Sequence, residues 1–247
     1  MIAQTNLQLY QQLREGGIED SELERVHAAY ELGVQLLTGK YRKSHRHFTE
    51  HLVGMASLVA AVDGRADMVR AALVHAAYHT GDWGTGGGRP VGESERAAVR
   101  EVVGVDAEDL IWRYTQVPVG FDEMRAWTEQ ACREPSPRTV DVLVLLLANF
   151  VEELQDEPDD VTPVPRIAML AQAATAMGVG DVAERLVDLA KTTNALRAPA
   201  ALGDRSYPRN EVLPRSARPA LRLRARRALR RRTWRGFVRR LQRLRNR

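Results

Sequence analysis

One helix sets the terms for the rest of this chain. Residues 137–155, PRTVDVLVLLLANFVEELQ, follow Ser136, so a capping residue is succeeded by a proline in the first turn, where its missing N–H is not needed. The middle of the segment, VLVLLLA at 142–148, is apolar nearly all the way round. A helix that is apolar on every side has to be covered on every side. The run is far too short to span a bilayer, so the expectation is a central helix wrapped by others.

The remaining sequence supplies the wrapping. Strand signals are nearly absent and 3.6-residue periodicity recurs, as in Leu23, Val26, Tyr30, Val34 and Leu37 on one face behind a Ser21 cap. The pattern predicts helices over 20–38, 46–62, 65–79, 93–103, 106–117, 121–133, 137–155, 164–178 and 181–196. The glycine-rich GDWGTGGGRPVG (81–92) and the proline-punctuated DEPDDVTPVP (156–165) read as loops. The fold class is therefore all-α. A single cysteine, Cys132, excludes an intrachain disulfide and any cysteine-rich metal cluster. A reducing compartment suits it. The N-terminus lacks the basic and apolar regions of a signal peptide, so a cytoplasmic location is expected.

A net charge of +4 hides two unlike parts. From Arg205 onward there are 17 arginines against one acid, a net of +16, which leaves 19 basic and 31 acidic residues, or −12, for the body. Residues 1–202 form the helical domain in this reading, 203–220 a proline-rich linker and 221–247 an Arg-rich amphipathic extension in two short helical pieces broken near Thr233. Trp234, Phe237 and Leu241 share a stripe among Arg231, Arg232, Arg235, Arg239 and Arg240. Such a segment suits an anionic membrane surface, where the apolar face inserts and the cations meet lipid headgroups. Placement at the inner membrane face follows from it. Nucleic-acid phosphates are the second partner, through counterion release.

Four of the six histidines fall in two i,i+4 pairs, His47 with His51 and His75 with His79. Residues four apart share a helix face, so two packed helices could aim four imidazoles at one point. Neutral imidazole is the commonest metal ligand. The structural alternative is a set of surface or hydrogen-bonded core histidines, and for Asn149 a buried amide bonded to neighbouring backbone.

The order of residues adds a resemblance. YRKSHRHFTEHLVGMASLV (41–59) followed by MVRAALVHAAY (68–78) resembles the start of an HD-domain hydrolase, most of all the RelA/SpoT-type branch that cleaves guanosine tetraphosphate; it is also similar to uncharacterised bacterial HD-related proteins. The resemblance spans roughly 22–155. It implies an HD-like helical bundle, a divalent metal (Mn, Zn or Fe) at His51 and His75, and a nucleotide or other phosphorylated small molecule held by Arg42 and Lys43. The departures fall on the chemistry. Ala76 stands where the family has the Asp of its His-Asp pair, His79 and Thr80 where it has Glu and Asp, and Asn149 where it has its last Asp ligand. A remodelled metal shell would draw on His79, Asn149, Asp82 and His47. Alanine offers no ligand and a neutral amide is a poor one, so the expectation is a degenerate site in a non-catalytic or strongly altered relative that binds a phosphorylated small molecule or a partner; an active metal-dependent phosphohydrolase with a His-rich site is the alternative.

Overall fold

The structure, a computed structural model, describes residues 2–42, 46–84, 91–156 and 163–192. Lys43, the 203–220 linker and the 221–247 extension with its arginines and Trp234 and Phe237 lie outside the described residues. Eleven helices make up what is described: α1 (Asn6–Glu15), α2 (Asp20–Leu37), α3 (Phe48–Val62), α4 (Ala66–Val74), α5 (Ala77–Thr80), α6 (Glu93–Val103), α7 (Val105–Gln116), α8 (Phe121–Arg133), α9 (Pro137–Asp156), α10 (Pro163–Ala176) and α11 (Gly180–Thr192). The fold is all-α. The β-pairing among the described residues is an isolated antiparallel bridge between Tyr41 and His47. No described helix is long and apolar enough to cross a membrane.

Helix α9 takes the central place that its composition requires. It packs against α3, α4, α7, α10 and α11, and Leu143, Leu145 and Leu147 are fully buried. Helices α3 and α4 form a hairpin across a short turn at Asp63–Arg65, so the start of α3 lies beside the end of α4. A missing side chain sets the approach of α2 to α4. A Cβ on Gly33 of α2 would stand 2.7 Å from the Leu73 carbonyl of α4 and 2.9 Å from Leu52 Cδ1. We expect Gly33→Ala to destabilise the protein by about 1–3 kcal/mol through overpacking, despite the higher helix propensity of alanine. Urea unfolding of the full chain measures it, and a gain in stability would show that α2 and α4 can part freely.

Two elements differ from the sequence expectation. Helix α1 has little apolar content, but Thr5 and Gln8 form a reciprocal capping box, with Thr5 Oγ1 accepting from the Gln8 N–H at 3.3 Å and Gln8 Oε1 from the Thr5 N–H at 3.1 Å. The segment expected as one helix over 65–79 is broken at His75–Ala76. The Ala72 carbonyl, which an uninterrupted helix gives to the N–H of residue 76, accepts from His75 Nδ1 at 2.7 Å. The histidine that ends α4 thereby fixes its own ring.

Candidate functional site

The hairpin geometry brings His51 and His75 together. His51 sits in the first turn of α3 and His75 just past α4, and their ring centroids are 5.3 Å apart, edge to face. Both are buried, His51 completely and His75 to 3% exposure. Tyr114 near the end of α7 meets the other side of the His75 ring, with centroids 5.3 Å apart. Asn149 reaches the same region from α9, 7% exposed.

The other candidate metal ligands of the sequence are exposed, although the His79 charge still acts on His75. His47 is the N-cap of α3 rather than a residue of the helix, is exposed, and stacks on Tyr41 at 4.5 Å. His79 lies beyond the break after His75 and is exposed. Asp82 is exposed too, its carboxylate accepting from the Gly84 N–H at 2.8 Å and its own N–H donating to the Leu36 carbonyl. Of the two i,i+4 pairs, His51 and His75 are buried while His47, at the N-cap of α3, and His79, beyond the helix break, are exposed.

Four charged residues fill the place of those missing side chains. Glu152 and Glu153 come from the last turns of α9, and Arg42 and Arg46 from the connection between α2 and α3. The connection doubles back on itself, with the Arg42 N–H donating to the Arg46 carbonyl at 2.9 Å and the Phe48 N–H to the Lys40 carbonyl at 2.9 Å, so the two arginines emerge side by side. Arg46 Nη1 donates to Glu152 Oε1 at 2.6 Å and its Nε to Glu50 at 3.3 Å. His51 Nδ1 bonds to Glu152 Oε2, and Arg42 Nη2 donates to Glu153 Oε1. Arg42 Nη1 stands 3.5 Å from His51 Nε2, while Asn149 Nδ2 donates to Glu153 Oε1 at 3.3 Å. A guanidinium can only donate, so His51 Nε2 is its acceptor and the ring proton lies on Nδ1, toward Glu152.

Helix α3 makes room for this network. A Cβ on Gly54 would lie 2.6 Å from Glu152 Oε1 and 3.1 Å from its Cγ. Glu152 is fully buried between that glycine and His51. Burial lifts its carboxyl to about 7, against the pull of Arg46 and Arg42. Burial likewise holds His75 well below the ordinary imidazole value, with the neighbouring His51 and Arg42 adding to the effect over the opposing bond to Ala72. His75 is thus neutral, with Nδ1–H spent on Ala72 and the Nε2 lone pair without a hydrogen-bond donor among the described residues. The Tyr114 phenol is raised by burial and then by the Glu153 charge.

A divalent metal does not fit this donor set as it stands. Among the described residues no group of three or more His, Cys, Asp and Glu side chains is arranged to hold one. His51 and His75 offer two nitrogens, but both glutamates that could join them are paired to arginines and the Asn149 amide nitrogen is turned toward Glu153. A structural zinc site needs four ligands and a catalytic one three.

Residues 34–118 match a domain of unknown function, DUF6817. The match covers about a third of the chain, from the end of α2 through α7, and contains Arg42, Arg46, His51, His75 and Tyr114. Glu152, Glu153 and Asn149 lie outside it. The match brings no activity with it, and a search of curated proteins finds none that matches this chain.

Proposed function

We propose that the chain is a non-catalytic, HD-like helical module, related to nucleotide phosphohydrolases and adapted to bind a phosphorylated small molecule rather than to turn it over. The observation that supports this most is the internal pairing of the site: His51 with Glu152, Glu152 with Arg46, and Glu153 with Arg42. Hydrolysis needs a group free to activate water and a charge free to stabilise the developing oxyanion. Here the acids and the guanidiniums neutralise one another. The polar atoms left over, His75 Nε2 and the Tyr114 hydroxyl, have no hydrogen-bond partner among the described residues and suit a ligand's donor. A phosphoryl group enters this site by drawing Arg42 away from Glu153.

The expected result with guanosine tetraphosphate and Mn2+ is no release of pyrophosphate by the full-length protein. Loss of metal activation and of general acid–base help each cost several powers of ten in rate. Mn2+-dependent pyrophosphate release that disappears in His75→Ala would overturn the proposal and favour the active phosphohydrolase instead.

A further inference from the structure

Arg42 is in contact with more of this site than any pairing role requires. Its Nη2 binds Glu153, its Nη1 faces His51 Nε2 at 3.5 Å, and its Cζ lies 5.5 Å from the centre of the Phe48 ring. Its charge is felt by His75, Tyr114 and Glu152 as well. The side chain is only 18% exposed, so this positive charge is lodged in the site rather than laid over it. Glu152 is already paired with Arg46, which leaves the Glu153 charge, beside the His51 lone pair, for Arg42 to balance. A guanidinium does this with directed N–H donors, and it leaves no space or charge for a second cation in the same place.

We infer that the Arg42 guanidinium is the resident cation of this site, standing where a divalent metal would otherwise be held, and that Arg42 is what keeps metal out. The inference rests on the non-catalytic reading, and adds to it a cause located in one side chain. Removing the guanidinium frees Glu153 and exposes His51 Nε2 beside the His75 Nε2 lone pair. Those three donors, with the Asn149 carbonyl after an amide flip, have the chemistry of a nitrogen and oxygen site for a first-row divalent ion.

The test is a Co2+ titration of untagged full-length protein, followed by the visible absorption of bound Co2+. Wild type should show no bound-ion bands, and Arg42→Ala should bind with an affinity at least about tenfold higher, a difference of about 1.4 kcal/mol. The gain should vanish in Arg42→Ala/His75→Ala. Arg42→Gln, which keeps much of the bulk without the charge, carries the same test if the alanine variant does not fold, and metal analysis of the wild type decides if neither folds. A role confined to packing would lower stability in the variants without creating Co2+ absorption. Folded Arg42 variants that bind no better than wild type would overturn the inference, as would a stoichiometric divalent metal in the wild type that is lost in His51→Ala. Either result can occur with no guanosine tetraphosphate turnover, so failure here is separable from failure of the functional proposal.

Discussion

At pH 8, where Glu152 is ionised, replacing it with alanine is expected to cost the fold about 3–5 kcal/mol, the range for stranding a buried charge by removing its partner. Glu152 is completely buried and serves two groups at once, Arg46 on Oε1 and His51 on Oε2. After truncation the His51 Nδ1–H loses its Glu152 acceptor, and Arg46, with a side chain 14% exposed, loses the carboxylate on its Nη1 while its contacts to Glu50 and Gln4 remain. Glu153→Ala should cost less, because its side chain is 28% exposed and water can replace it beside Arg42. Urea unfolding of the full chain compares the two. A Glu152→Ala variant within about 1 kcal/mol of wild type would mean that the network does not hold the helices together.

The second large effect is a pair of opposed pH dependences. Burial raises Glu152 to about 7 from an ordinary 4.5, so its contribution to stability is fully present below 4.5 and is lost as the pH rises through about 7. His75 runs the other way. Its folded value is depressed below 6.5, so its contribution is present above 6.5 and is lost as the pH falls, when the unfolded imidazole takes a proton that the folded one refuses. Between pH 4.5 and 6.5 the two slopes have opposite sign and oppose one another. Single substitutions uncouple them. From pH 7 to pH 5, His75→Phe should gain stability relative to wild type, and Glu152→Gln should lose about 2 kcal/mol. Stability curves that run parallel in all three proteins would show that neither group titrates with folding.

The helical frame was largely legible because periodicity and caps are local signals. The spans expected at 93–103 and 121–133 coincide with α6 and α8, and the all-apolar segment at 142–148 does lie at the centre. Helix α1 was hidden by its polar composition, although the Thr5–Gln8 spacing of a capping box was there to be read. The approach of His51 to His75 followed from the hairpin. The exposure of His47 and His79 could not, since the N-cap position of one and the helix break before the other depend on bonds to Tyr41 and Ala72 made only in the folded chain. Glu152 and Glu153 were missed because EEL ahead of an acidic loop reads as a solvated helix end. A sign was available: Glu152 continues the stripe of Val142, Leu145 and Asn149 down the buried face of α9, and an acid on such a stripe needs a partner. Tyr114 likewise extends Ala107, Leu110 and Ile111 on α7. The pairing with Arg42 and Arg46, more than a hundred residues away in sequence, carries no local signal at all.

At the centre of the site His51 is bonded on both sides, both glutamates are paired to arginines, and His75 is held neutral. Nitrogen-15 spectra of the imidazoles across pH 8 to 5, with and without added Zn2+, test this arrangement most directly. The expected result is a neutral His75 protonated on Nδ1 throughout, a His51 Nδ1 proton in a strong hydrogen bond to the Glu152 carboxylate at pH 8 that weakens as Glu152 takes up a proton near pH 7, and no change in either ring when Zn2+ is added. A His75 that titrates near 6.5, or Nε2 signals of both rings that shift together with one equivalent of Zn2+, would contradict it.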